Sequence, residues 1–128
     1  MVVQVEDPLN PTAADIRQWA ADPDALCPTE DWDLVITGVG FEDLFLELVE
    51  DRECPNADFF LHCLYLRVYD VVRIRGKTAE LDRLLRRAET SSEPALRRWA
   101  RRSRALIADP RRAAKHIWWG FGQKRSGA

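Results

Sequence analysis

The chain has 128 residues, enough for one domain around one core, and 46% of them are hydrophobic and 31% charged. That balance excludes a disordered chain, which lacks the apolar residues to offset ordering entropy, and no apolar run approaches the roughly 20 residues of a membrane helix, so no membrane role is expected. The net charge of −2 hides a split: residues 1–60 carry fifteen Asp/Glu against Arg17 and Arg52, a net of −13, while residues 61–128 carry seventeen Lys/Arg against six Asp/Glu, a net of +11.

The first residues, Met1 to Asp7, have neither a basic start nor a long apolar stretch, so no secretory leader is expected. Asn10-Pro11 predicts a helix start, with Asn as cap and Pro at the first helical position. Ile16, Trp19 and Ala20 give that helix one apolar face, and Asp22-Pro23 closes it. Residues 22–29 read as a loop with two prolines. Thr29 is placed to cap a short element over Glu30–Thr37, with acidic residues in its first turn, where the helix dipole favours them. Trp32, Val35 and Ile36 match helical spacing, although Val35-Ile36-Thr37 would also suit a strand. Gly38 and Gly40 break the chain.

Phe41–Asp51 predicts an amphipathic helix with Phe41, Leu44, Phe45, Leu48 and Val49 on one face and Glu42, Asp43, Glu47 and Glu50 mostly off it. Cys54-Pro55 opens a helix to about Arg75, ended by Gly76. It is apolar nearly all round, as a central helix is, with Phe60, Leu64, Val68 and Val71 expected to be buried. Thr78 is placed to cap a helix through Ala88, with Leu81, Leu84 and Leu85 inward. Ser92 and Pro94 start another, with Leu96, Trp99, Ala100, Ser103, Leu106 and Ile107 on one face, and Asp109-Pro110 closes it. A last short helix over residues 111–119 and a frayed tail over about 121–128 complete a single all-α domain, residues 1–128, of about six helices.

Shifting the sequence by 39 residues brings two segments into register. Asp43 meets Asp82, Phe45 meets Leu84, Leu46 meets Leu85, Glu50 meets Glu89, Pro55 meets Pro94 and Phe60 meets Trp99. The period lies near that of two-helix repeats, and the unit, over about residues 41–108, resembles the HEAT type of α-hairpin repeat. The resemblance implies stacked antiparallel helix pairs and, by analogy, a protein-binding surface. A plain helical bundle has the same periodicity.

Chemistry-bearing residues are sparse. His62 and His116 lie 54 positions apart with no second ligand at helical spacing, so no metal site is expected. Cys27, Cys54 and Cys63 form no CxxC pair and read as reduced packing residues of a cytoplasmic protein. Gly38-Val39-Gly40 lacks the Lys and Ser/Thr of a phosphate loop. Glu30, Asp31 and Asp33 flank Trp32 as helix-dipole acids or as an acidic partner patch. Arg97, Arg101 and Arg104 share one flank of their helix and Arg98 and Arg102 another, with Arg83, Arg86 and Arg87 on the helix before and Arg111, Arg112 and Lys115 after. If the helices at Phe41 and Thr78 lie side by side, Glu47 and Glu50 face those earlier arginines, and much of the charge split is internal. Trp118, Trp119 and Phe121 either cap the last helix pair as a lid or form an exposed apolar patch.

The sequence therefore predicts a non-catalytic protein-interaction module without a cofactor. Bacterial toxin-neutralising (immunity or antitoxin) proteins are one class of this size and charge. The candidate interaction surface comprises Glu30, Asp31, Asp33, Arg97, Arg101, Arg104, Trp118 and Trp119. A nucleic-acid-binding module working through the arginine-rich helices at 83–112 is the main alternative. An enzyme with an unrecognised site is the other.

Overall fold

A computed structural model describes residues 5–38, 40–74 and 78–111. The short helix expected at 111–119, the aromatics Trp118, Trp119 and Phe121, and the tail lie outside those residues. Among the described residues the fold is an all-α bundle of six helices with no strand: α1 (Ala13–Ala21), α2 (Trp32–Thr37), α3 (Glu42–Glu50), α4 (Ala57–Ile74), α5 (Thr78–Glu89) and α6 (Pro94–Ala108).

The central position of α4 follows from its composition. Phe60, Cys63, Leu64 and Val68 are wholly buried, Tyr65, Leu61 and Val71 nearly so, and these positions run round most of the helix. A helix with so broad a buried face must be covered on several sides. Here α2 and α3 cover it on the N-terminal side of the chain and α6 on the C-terminal side, while α1 packs on α3 and α5 on α6. Several residues paired by the 39-residue shift share their burial: Phe45 and Leu84, Leu46 and Leu85, Phe60 and Trp99 are all 0–1% exposed, whereas Leu44 and Cys63 are buried where Arg83 is exposed and Arg102 half-exposed.

At another pair of shifted positions the chemistry differs. Glu42, expected off the core face, is buried at the start of α3 and meets Arg67 of α4 at 3.0 Å. The 39-shifted positions are Leu81 and Leu106, both buried. One hairpin thus holds an ion pair where the other holds two leucines.

Helix boundaries differ from expectation at four starts, one of them α4, which begins at Ala57 and not at Pro55. Thr12, not Asn10, caps α1: its hydroxyl accepts from the Asp15 backbone N–H and the Asp15 carboxylate accepts from the Thr12 N–H, a reciprocal box that satisfies two otherwise unpaired donors. Asp31, not Thr29, precedes α2, in the left-handed region at φ +57°, which short polar side chains tolerate. Residues 30 and 31 are therefore turn, and only Asp33 lies in the helical first turn. Glu93, not Ser92, caps α6. Pro94 holds it extended, and its carboxylate accepts from the Ala95 N–H. Of the two glycines after α2, only Gly40 has a positive φ, +89°.

Trp19, Trp32, Phe59 and Phe60 join α1, α2 and α4 in one aromatic cluster. The Trp19 ring lies 5.0 Å from Trp32, 4.8 Å from Phe59 and 5.9 Å from Phe60. Both indoles also hold loops: Trp32 Nε1 donates to the Pro8 carbonyl at 3.0 Å and Trp19 Nε1 to the Leu26 carbonyl at 2.9 Å. The end of α1 is satisfied from a distance. The Asn56 amide donates to the carbonyls of Trp19, Ala20 and Asp22, and the Cys54 thiol donates to Ala20. These are carbonyls that the last turn of a helix leaves without a partner.

Two outcomes follow. Trp32→Ala should destabilise the protein by about 3–5 kcal/mol, as for large buried aromatics, read as a shift in the urea midpoint. The double variant Glu42→Leu/Arg67→Leu, which copies the second hairpin, should be neutral or stabilising, while Arg67→Leu alone leaves a buried carboxylate unpaired and costs more than either. A double-mutant cycle on urea curves measures both.

Candidate interaction surfaces

The charge split resolves first into a seam where α3, α5 and α6 meet. Arg83 grips Asp43 with both terminal nitrogens, at 3.2 and 2.9 Å, and reaches Glu80 at 2.7 Å. Arg87 pairs with Asp43 at 3.1 Å and Glu50 at 3.4 Å. Glu50 also accepts from the Ser91 hydroxyl at 2.8 Å. On the far side of α5, Arg104 of α6 holds Glu89 at 2.7 and 3.0 Å and Asp82 at 2.9 Å, and Arg86 adds a second bond to Asp82 at 2.8 Å. The expected pairing of Arg83 and Arg87 with the acidic helix is present. Glu47 departs from it: α1 lies on that side, and Arg17 pairs with Glu47 at 2.7 Å.

The seam sets its own titration. The bond from Arg83 holds the Asp43 carboxyl below the usual carboxylate range, with Arg87 adding to it, and Arg104 does the same for Asp82 and Glu89. Most of these groups are well exposed, so each pair contributes little.

Beyond the seam, two groups of exposed charge lie on different elements. On α6, Arg97 and Arg101 are exposed and Arg98 and Arg102 half-exposed, and none forms an ion pair with a described residue. Arg104, read from the sequence as part of this surface, instead belongs to the seam. Its helical angle leans toward α5, where two carboxylates wait.

The opposite sign gathers around the aromatic cluster. Glu30 and Asp31 are exposed in the turn before α2, and Glu6, Asp7 and Asp24 are exposed on the segments held by the indoles. Among them stand Leu9, Leu26 and Leu34, which are 63%, 76% and 54% exposed. Leu9 follows Pro8, whose carbonyl Trp32 holds. Leu26 is itself held by Trp19, and Leu34 lies two residues beyond Trp32. The sequence reading missed these leucines, because nothing in an isolated Leu shows that its backbone is tied down with its side chain outward.

Asp33 leaves the acidic group. It turns to α4 and meets His62 Nε2 at 2.8 Å, while its backbone carbonyl accepts from Thr37 Oγ1 at 2.6 Å. The Cys63 thiol packs beside the same carbonyl at 3.9 Å. Burial pushes Cys63 up to about 12, and burial followed by the nearby Asp33 charge also raises Cys27. Both thiols are therefore held protonated, the opposite of an activated nucleophile. Cys54 and Cys63 are buried packing residues, but Cys27 is exposed, since its loop runs over the surface. Among the described residues no group of three or more potential ligands is placed to hold a metal ion, and no helix is long and apolar enough to cross a membrane.

Because Asp43, Asp82 and Glu89 are shifted downward in the folded chain, the seam's contribution should be full above the ordinary carboxylate range, near pH 4, and lost as pH falls through the lower folded-state values. Urea midpoints between pH 6 and pH 2 should therefore fall on acidification, and less steeply for Asp43→Asn. At neutral pH that variant should lose about 0.5–1 kcal/mol at low salt and less in 0.5 M salt.

No protein-family model, curated protein or solved structure matches the chain, so these surfaces are read from their geometry and charge alone.

Proposed function

We propose that the protein is a non-catalytic protein-interaction module and that its principal contact is the end formed by α1, α2 and the loops at residues 6–9 and 22–31. The observation that carries this is the set of three outward leucines, Leu9, Leu26 and Leu34, whose backbones are fixed by or beside two buried indoles. Large apolar side chains left exposed on segments that also carry exposed charge mark protein contacts, and a pre-ordered surface loses little entropy when it docks. Exposed Glu6, Asp7, Asp24, Glu30 and Asp31 supply a rim of one sign, which suits a partner with a basic rim. Toxin-neutralising proteins of the immunity or antitoxin kind are a functional class that fits this reading. The shared burial of the pairs Phe45 and Leu84, Leu46 and Leu85, and Phe60 and Trp99 supports a short HEAT-like stack of two helix pairs as its architecture. Three unlinked thiols suit a reducing compartment such as the cytoplasm.

The nucleic-acid reading loses four of its ten arginines to the seam: Arg83, Arg86, Arg87 and Arg104 already face carboxylates.

Leu26→Ser/Leu34→Ser should fold normally, since both side chains are exposed, and should lose the partner that the parent protein captures from its native host, identified by mass spectrometry. Burying a leucine is worth about 1.5–3 kcal/mol, so the pair should weaken binding at least about tenfold. Capture of the same partner at the same strength would place the contact elsewhere.

A further inference from the structure

The solvent side of α6 is almost entirely arginine. From 97 to 105 helical spacing turns Arg97, Arg98, Arg101, Arg102, Arg104 and Ala105 away from the core, while Leu96, Trp99, Ala100, Ser103 and Leu106 are buried. Arg104 is neutralised by Asp82 and Glu89. The other four are not neutralised by any described residue. Arg97 donates to the Ser91 carbonyl at 2.7 Å, and Arg102 bonds the Tyr65 hydroxyl of α4, near which Arg98 and Arg101 also lie. Arg97–Arg101, Arg98–Arg101 and Arg98–Arg102 stand three or four positions apart, where like charges repel and weaken a helix. On α5 each arginine faces at least one carboxylate. The fold therefore retains an unneutralised cluster at a cost to its own stability, in a chain with more acids than bases.

We infer that this strip docks a partner protein through an acidic helix whose carboxylates recur at i and i+4. Such carboxylates lie about 6 Å apart along a helix, the separation of Arg98 and Arg102, and a planar guanidinium binds a carboxylate through two parallel bonds. A nucleic acid fits less well. The strip is only about 8 Å long from Arg97 to Arg102, room for two or three phosphates, and without these four arginines the chain carries −6, which repels a long polyanion. The strip lies on a different helix from the leucine-bearing end, and the inference stands whether or not that end is a contact.

The test uses a labelled 16-residue helical peptide with Glu pairs at i,i+4, its Gln counterpart, and a 12-nucleotide oligo(dT), each titrated with the full chain by fluorescence anisotropy at 50 and 200 mM salt. The Glu peptide should bind at least about tenfold more tightly than the Gln peptide and more tightly than the oligonucleotide, and should weaken several-fold at the higher salt. Arg98→Gln/Arg101→Gln should reduce its binding about tenfold, while Arg17→Gln on α1 leaves it unchanged. The same double variant should melt at the parent temperature or a few degrees above it, because repulsion is relieved. Equal binding of the two peptides, tighter binding of the oligonucleotide, or indifference to the double variant would overturn the inference. So would a melting temperature lowered by that variant, which would make the arginines structural.

Discussion

The structure depends on a helix with one broad, fully buried face. With Phe60, Cys63, Leu64, Tyr65 and Val68 buried on successive flanks, α4 is stable only when neighbours enclose it, and that requirement assigns the other elements their places. α3 and α6 present amphipathic faces to it, and α2, though only six residues long, closes a further side with Trp32 and Ile36. α1 and α5 then cover the outer flanks of α3 and α6. Because the middle of the molecule is apolar, the charged residues of these outer helices meet only at their edges.

That arrangement explains how a chain split into −13 and +11 folds without a strong internal field. The two signs face one another at short range where α3 meets α5, through Asp43 and Glu50 with Arg83 and Arg87, and again where α5 meets α6 through Arg104. Solvent screens each bond, so the seam adds modest stability. Its larger effect is on register. Slipping α5 along α3 by one turn would put Arg83 and Arg87 opposite the wrong residues while leaving the apolar contacts nearly as good. Among the described residues, the seam leaves acids on the segments that bear the exposed leucines and arginines on α6.

The leucine-bearing end owes its form to polar atoms on buried side chains. Trp19 and Trp32 contribute their rings to the aromatic cluster and their N–H groups to the carbonyls of Leu26 and Pro8. Asn56 similarly ends α1 by taking three of its last carbonyls. Irregular segments are thereby fixed by the core instead of by their own hydrogen bonds, and their apolar side chains are left facing outward.

Local chemistry made much of the fold legible. Apolar spacing marked five of the six helices and left residues 30–37 open between helix and strand, the apolar character of residues 59–72 marked the buried one, prolines at 23, 94 and 110 marked ends, and the 39-residue shift paired several positions of equal burial. These signals are local because helix period and proline geometry act within a few residues. Helix caps at Thr12, Asp31 and Glu93 were misplaced by one or two residues, since several polar residues stand before each start and only the three-dimensional turn selects which one bonds. The candidate surfaces were legible only in part. Charge composition identified the arginines and acids, but it could not separate Arg104 and Asp33, which face partners on α5 and α4, from Arg101 and Glu30, which face water. Nor could it show that Glu42 is buried or that Leu9, Leu26 and Leu34 are exposed. Most of those assignments depend on contacts between residues 15 to 30 positions apart, and packing between helices decides them.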